Sequence, residues 1–266
     1  AQRADVVVMC LGESQGMSGE AASRADIRIP ACQRKLLRAI HGTGKPVVLL
    51  LSNGRPLVLT WENGHVPAIL ETWFLGTEAG HSIADVLFGD YNPSGKITMS
   101  FPYAVGQIPV YYNHMNTGRP RNPNVKYTSK YLDIPNAPLY PFGYGLSYSK
   151  FTYSDLTVDN KVIHPGERLH VSVTLTNAGP YDGEETVQLY IRDLVGSVTR
   201  PVKELRGYQQ VFLKKGAHKT LHFTLTDDDL KFYDKDMKWT YEPGDFKVFV
   251  GSNSRDVLES GFTLEP

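Results

Sequence analysis

Residues 4–10 form an apolar run that ends in Leu11-Gly12-Glu13, and residues 47–51 form a second one. Continuous runs of this length suit strands buried on both faces of a parallel sheet. Between them, residues 31–41 place Leu36, Leu37 and Ile40 on one helical stripe, with Pro30 at the start and Gly42 and Gly44 at the end, where proline and glycine cost a helix least. A third apolar run covers residues 68–73, and a helical spacing of Ile83, Ala84, Leu87 and Phe88 predicts a helix over 78–88 that stops at Gly89. The order strand, helix, strand, strand, helix predicts an α/β layer with a mostly parallel sheet.

The pattern changes twice further on. Pro102, Pro109, Pro120, Pro123, Pro135, Pro138 and Pro141 fall in one stretch. That density excludes central strands and helix interiors and predicts a long ordered loop. From about residue 151 the period becomes two: Leu169, Val171, Val173 and Leu175 alternate with polar residues, as do Val187, Leu189 and Ile191, and Phe246, Val248 and Val250. Turn signals separate these runs, at Pro165-Gly166, Asn177-Ala178-Gly179, Lys215-Gly216 and Pro243-Gly244. Short alternating strands at this spacing predict an antiparallel β-sandwich of the fibronectin type III kind, with the four residues from Leu169 to Leu175 pointing inward. The expected fold is α/β plus all-β: an α/β domain over 1–110, a Pro/Tyr-rich linker over 111–150 and a β-sandwich over 151–266.

Composition narrows the function classes. The 28 Lys and Arg balance 28 Asp and Glu, which argues against a nucleic-acid partner. No apolar run reaches the length of a membrane span. Cys10 and Cys32 show neither metal-ligand nor disulfide-framework spacing and are expected to be free, buried thiols. His41, His81 and His222 have no ligand spacing, so no metal is expected. Gly12, Gly16 and Gly19 do not form a dinucleotide fingerprint, and no cofactor is expected. The chain enters a strand soon after Ala1, without Met or a signal-peptide pattern, so further upstream sequence is expected.

Three segments resemble glycoside hydrolase family 3, closest to its periplasmic bacterial β-glucosidases. The first is Gly12-Glu13 with the Gly19-Glu20-Ala21-Ala22-Ser23-Arg24 run leading to Pro30. The second runs from Pro67 through Glu71-Thr72-Trp73 and Gly76-Thr77-Glu78 to Asn92-Pro93-Ser94-Gly95-Lys96. The third is the Tyr140 to Tyr148 stretch. Residues 185–192 and 200–208 look like the fibronectin-type domain appended in that family. The resemblance covers the whole chain and implies a retaining, exo-acting enzyme on β-glucosides or related oligosaccharides, periplasmic or secreted. In that family an N-terminal barrel supplies an Asp nucleophile within a Ser-Asp-Trp motif. No such motif occurs here; Asp155 follows Ser154 but precedes Leu156. The barrel is therefore expected to be a missing partner domain, and the chain alone is expected to be inactive.

Retaining glycosidases need two carboxyl groups across the scissile bond, one as nucleophile and one as general acid/base. Read from position alone, Glu20 is a solvated loop residue; the family resemblance makes it the candidate acid/base. Glu13 is the rival, nearer the strand end and suited to ordering the loop. Arg24 is placed to pair with either carboxylate. Glu78 opens a helix, where an acidic side chain suits the helix dipole. Tyr111, Tyr112, Asn113 and His114 form a candidate substrate rim, with Tyr127 and Tyr131 beside it; the competing reading is that these aromatics pack the linker onto the sandwich. The competing function is a non-catalytic carbohydrate-binding or structural module.

Overall fold

The computed structural model describes all 266 residues, in two compact units. The first comprises residues 1–90, 99–110 and 131–140; the second comprises 91–98, 111–130 and 141–266. The Pro-rich stretch is thus shared between both units.

In the first unit, β1 (Val7–Gly12), α1 (Ala31–His41), β2 (Val47–Ser52), α2 (Thr60–His65), β3 (Ala68–Glu71) and α3 (Ala79–Phe88) follow in order. The sheet is wholly parallel, ordered β1-β2-β3, with Val7 opposite Val47 and Leu49 opposite Ile69. α2 was not legible in the sequence, because Asn63 and Gly64 are poor helix formers. The topology nevertheless requires a crossover there, since parallel neighbours cannot be joined by a tight turn. The central strand β2 carries most of the core: Val47, Leu49, Leu50 and Leu51 are all buried.

Three expectations differ from the structure. The run ending in β1 is not buried on both faces: Val6, Val8 and Cys10 are exposed and Met9 is buried. β1 is an edge strand, and one of its faces lies uncovered. For the same reason Cys10 is a free, exposed thiol, and Cys32, in the solvent-facing first turn of α1, is another. The helical stripes are also shallower than their spacing implies. Leu37 is fully buried while Leu36 is exposed, and α3 has no buried residue, with Phe88 83% exposed.

The second unit is the antiparallel sandwich. It contains β4 (Phe151–Val158), β5 (Val162–Ile163), β6 (Leu169–Asn177), β7 (Gly183–Asp193), β8 (Glu204–Leu213), β9 (His218–Leu225), the short α4 (Asp227–Leu230), β10 (Phe232–Tyr233), β11 (Trp239–Thr240), β12 (Gly244–Gly251) and β13 (Val257–Leu264). One sheet has the order β5-β13-β12-β7-β8 and the other β4-β6-β9. Leu169, Val171, Val173 and Leu175 are fully buried, as the alternation predicts, and face Val187, Leu189, Val248 and Val250 in one core. α4 starts with a capping box, in which Thr226 and Asp229 satisfy each other's backbone N–H.

Residues 91–98 are tied to this unit by a buried ion pair. Lys96 Nζ donates to both oxygens of Glu185, at 3.1 and 3.0 Å, and the Tyr153 hydroxyl donates to the same carboxylate at 2.8 Å. Removing one partner leaves a buried charge unpaired, which costs about 3–5 kcal/mol, whereas an apolar pair of similar volume is far better tolerated. Lys96→Ala should therefore lower the urea midpoint of the chain much more than the double substitution Lys96→Met, Glu185→Leu. A double variant as unstable as the single one would contradict this account.

Candidate functional site

The three parallel strands end side by side, and each delivers a polar side chain at its carboxyl end: Glu13 after β1, Asn53 after β2 and Glu71 at the end of β3. Ligand crevices in open α/β sheets lie at this edge. The chain can leave β1 as it does only because residue 12 is glycine. Its φ is +135°, and a Cβ would stand 2.0 Å from the Ser52 carbonyl oxygen. The Glu13 N–H then donates to that same oxygen at 2.8 Å, which turns the Glu13 side chain inward.

The Glu13 side chain is fully buried. Arg24 Nη1 donates to Oε1 at 2.5 Å, Arg55 Nε lies 3.0 Å from Oε1 and donates to Oε2 at 3.2 Å, and the Gly54 N–H donates to Oε2 at 3.3 Å. Such charge-assisted bonds are the strong ones, and together they satisfy most of the carboxylate's acceptor capacity. Arg24 thus pairs with Glu13, and its other nitrogen donates to the Arg28 carbonyl. Arg55 reaches further: its Nη2 donates to the carbonyls of Met17 and Ala22.

Those two carbonyls flank Glu20. A 3-10 turn spans Gln15–Met17, and the Ala22 N–H donates to Gly19 O at 3.3 Å, closing a turn with Glu20 and Ala21 at its centre. Gly19 has φ +119° and Ala21 φ +54°. An alanine in the left-handed region costs on the order of 1–2 kcal/mol, so the surrounding bonds must hold this turn in shape. Glu20 itself is exposed and makes no hydrogen bond or ion pair.

The β3 end carries a second strained residue. Trp73 has φ +49°, its N–H donates to Glu71 Oε1 at 3.0 Å, and its ring packs on Phe101. Asn53, fully buried, donates to Glu71 Oε2 at 3.2 Å and to the Arg55 carbonyl at 2.8 Å. Burial pushes the Glu71 carboxyl up to about 7, against the lowering effect of those two bonds.

Glu78 caps the start of α3 without a side-chain cap bond and pairs with His81 at 2.7 Å. Tyr111, Tyr112, Asn113 and His114 belong to the second unit. There Tyr112 stacks on Phe142, ring centroids 4.5 Å apart, and meets the buried Tyr190 edge-on, so it packs as a structural ring. The His114 carbonyl accepts from the Val202 N–H, while Tyr111 and Asn113 are exposed. Tyr127 is exposed with Lys126 over its ring, and the Tyr131 hydroxyl donates to Gly106 O. No group of three His, Cys, Asp or Glu side chains is placed to hold a metal, and no helix is long and apolar enough to cross a membrane. Sequence reasoning missed Arg55, Asn53 and Glu71. The available signal was Asn53-Gly54-Arg55-Pro56, a polar glycine turn directly after a buried strand.

The Glu71 proton has a consequence for stability. Its carboxyl binds a proton more tightly folded (about 7) than at its ordinary value of 4.5. Between those values the unfolded chain has lost the proton that the folded chain keeps, so stability falls as pH rises through this window. The full shift corresponds to at most about 3 kcal/mol, less whatever solvent recovers at the partly exposed side chain. Glu71→Gln should flatten that slope in urea unfolding followed from pH 4 to 8. An unchanged slope would place the proton elsewhere.

Comparison with known proteins agrees with the geometry. The model of the glycosyl hydrolase family 3 C-terminal domain matches residues 1–148, and that of a fibronectin type III-like domain matches residues 185–254. A periplasmic beta-glucosidase of Salmonella typhimurium is 53% identical over 99% of the chain, and a beta-xylosidase of Formosa agariphila is 42% identical over 96%; each alignment covers 35% of the relative. A crystal structure of a beta-glucosidase from Listeria innocua in complex with glucose superposes with a TM-score of 0.95 at 47% identity, covering 100% of this chain and 37% of that one. A mutant of that enzyme has been solved in complex with laminaribiose. The chain spans about a third of the length of the relatives it matches. With its α/β unit, its β-sandwich and this agreement along nearly all its length, the chain belongs to glycosyl hydrolase family 3.

Proposed function

We propose that this chain contributes the general acid/base, Glu20, to a retaining, exo-acting β-glucosidase-type hydrolase, and that a barrel domain outside these 266 residues supplies the nucleophile. The observation that carries the reading is the contrast between the two carboxylates. Glu13 is buried and held by Arg24, Arg55 and the Gly54 N–H, whereas Glu20 stands exposed and unbonded on a turn at the carboxyl edge of the sheet. A group that gives a proton to a leaving oxygen must be able to reach it, and Glu20 has that freedom. The relatives named beta-glucosidase, and the complexes with glucose and laminaribiose, support β-linked glucosides as substrates. The periplasmic relative supports a periplasmic site of action.

The need for a further domain is supported by the uncovered apolar surface of the first unit. Parallel sheets are ordinarily covered on both faces, yet Val8, Cys10 and Phe88 are open to solvent. In the same reading, exposed Tyr111, Asn113 and His114 remain candidates for the substrate rim, with Tyr112 as their packed support. On its own the chain should not hydrolyse an aryl β-glucoside. General acid catalysis contributes about 10²–10⁴-fold, far less than a glycosidase needs without its nucleophile. Turnover by the purified chain that disappears in Glu20→Gln would overturn the requirement for a second domain.

The acid/base role is tested in the full-length enzyme. A sugar leaving group needs protonation and an activated aryl group does not, so Glu20→Ala should depress cleavage of a β-linked disaccharide far more than formation of the glycosyl-enzyme from an activated aryl β-glucoside. The intermediate should then accumulate, because its hydrolysis also needs the base. Added azide should restore turnover and give the β-glycosyl azide, since two inversions retain configuration. Glu13→Ala, which reaches the acid only by loosening the arginines bonded to it, should gain far less from azide than Glu20→Ala. If azide rescues the Glu13 variant instead, the two assignments exchange.

A further inference from the structure

We propose that Arg55 is the positioning residue of Glu20: its guanidinium, anchored on the Glu13 carboxylate, holds both legs of the turn that presents the acid/base. The inference rests on the reading of Glu20 above and extends it by naming the group that sets where that carboxylate stands.

Glu20 has no side-chain contact of its own, so its position is inherited from its backbone. One nitrogen, Arg55 Nη2, bonds Met17 O on one leg of the loop and Ala22 O on the other. The neighbouring donor of the same planar group, Nε, rests on buried Glu13. The Asn53 side chain donates to the Arg55 carbonyl and fixes its backbone at the end of β2. The anchor is therefore rigid, and the loop hangs from it. Gly54 permits the close approach: a Cβ there would lie 1.9 Å from Ser18 Oγ, a side chain within the same loop. Arg24 offers an internal contrast. It shares the Glu13 carboxylate with Arg55 but donates to Arg28 O, beyond the turn, and to neither leg. Lysine cannot replace Arg55 in this role, because a single ammonium lacks the planar fork that spans a carboxylate and two carbonyls.

A purely structural arginine would affect all substrates alike, whereas a misplaced acid affects those that need protonation. In the full-length enzyme, Arg55→Lys should lower kcat/KM for a β-linked disaccharide about 10²-fold, the scale of an ångström-sized misplacement. Formation of the glycosyl-enzyme from an activated aryl β-glucoside should fall less than about tenfold, and azide should speed the turnover of that intermediate. Arg24→Gln should lower the thermal midpoint without changing the ratio of the two substrates. Arg55→Ala should regain part of its disaccharide activity on addition of guanidinium ion, while Glu20→Ala should not. Equal loss on both substrates in Arg55→Lys, or the same change of ratio in Arg24→Gln, would overturn the proposal. If Arg55→Lys does not fold, guanidinium rescue of Arg55→Ala decides, and its failure overturns the proposal. Glu20→Ala, measured in parallel, separates the two readings: if it shows the leaving-group dependence and the Arg55 variants do not, only the positioning role is wrong. If Glu20→Ala lacks the dependence, the acid assignment itself has failed.

Discussion

The arrangement at the sheet edge depends on one buried carboxylate. Glu13 gathers two guanidinium groups and a backbone N–H at the point where β1 gives way to a loop. A buried charge is tolerated only when it is paired and hydrogen-bonded, so Glu13 fixes Arg55 and Arg24 as firmly as they fix it. Through Arg55 the constraint passes to Met17 and Ala22, and through the Arg55 carbonyl to Asn53 and Glu71. Three strand ends and two loops are thereby joined in one polar network, laid over a sheet whose own core is purely apolar.

The two units differ in how they use apolar surface. The sandwich closes twenty buried residues into one core, and the alternation that announced it in the sequence is the alternation that fills it. The α/β unit leaves apolar side chains of β1 and α3 in solvent. In α3 the stripe residues Ile83, Ala84 and Leu87 are only partly buried and Phe88 is exposed, so the helix gains only part of the packing its spacing offers. Most helical stability comes from such packing, so this is the part of the chain with most to gain from a covering surface, as the proposed larger enzyme would provide.

What the sequence revealed follows from the physics of each element. The register of β6 was readable because a one-residue slip would turn Leu169, Val171, Val173 and Leu175 outward together. α1 was readable because Pro30 and Gly42 bound it. α2 was hidden by Asn63 and Gly64, and the exposure of Cys10 was hidden because a strand's own residues do not say whether anything covers the face they form. The chain's apolar runs report strand formation, while burial depends on neighbours. At the site, Glu20 was found through resemblance to a motif; its position alone suggested a solvated residue on a Gly/Ser-rich loop after the first strand. Arg55 lies far along the sequence from the residues it holds, and a polar turn after a strand looks like any other until the chain is folded.

The division of labour between Glu13 and Glu20 has a chemical logic. In the proposed cycle the acid/base gives up a proton in the first step and takes one back in the second. A fixed cation bonded to that carboxylate would favour its ionised form throughout and oppose reprotonation. The side chain that must change charge therefore has to be positioned by something other than a charge held against it. Here the permanent charges meet on Glu13, and only backbone carbonyl bonds extend from them to the turn. Those bonds are indifferent to the protonation state of Glu20, so the turn can hold its shape while the carboxyl it carries changes state.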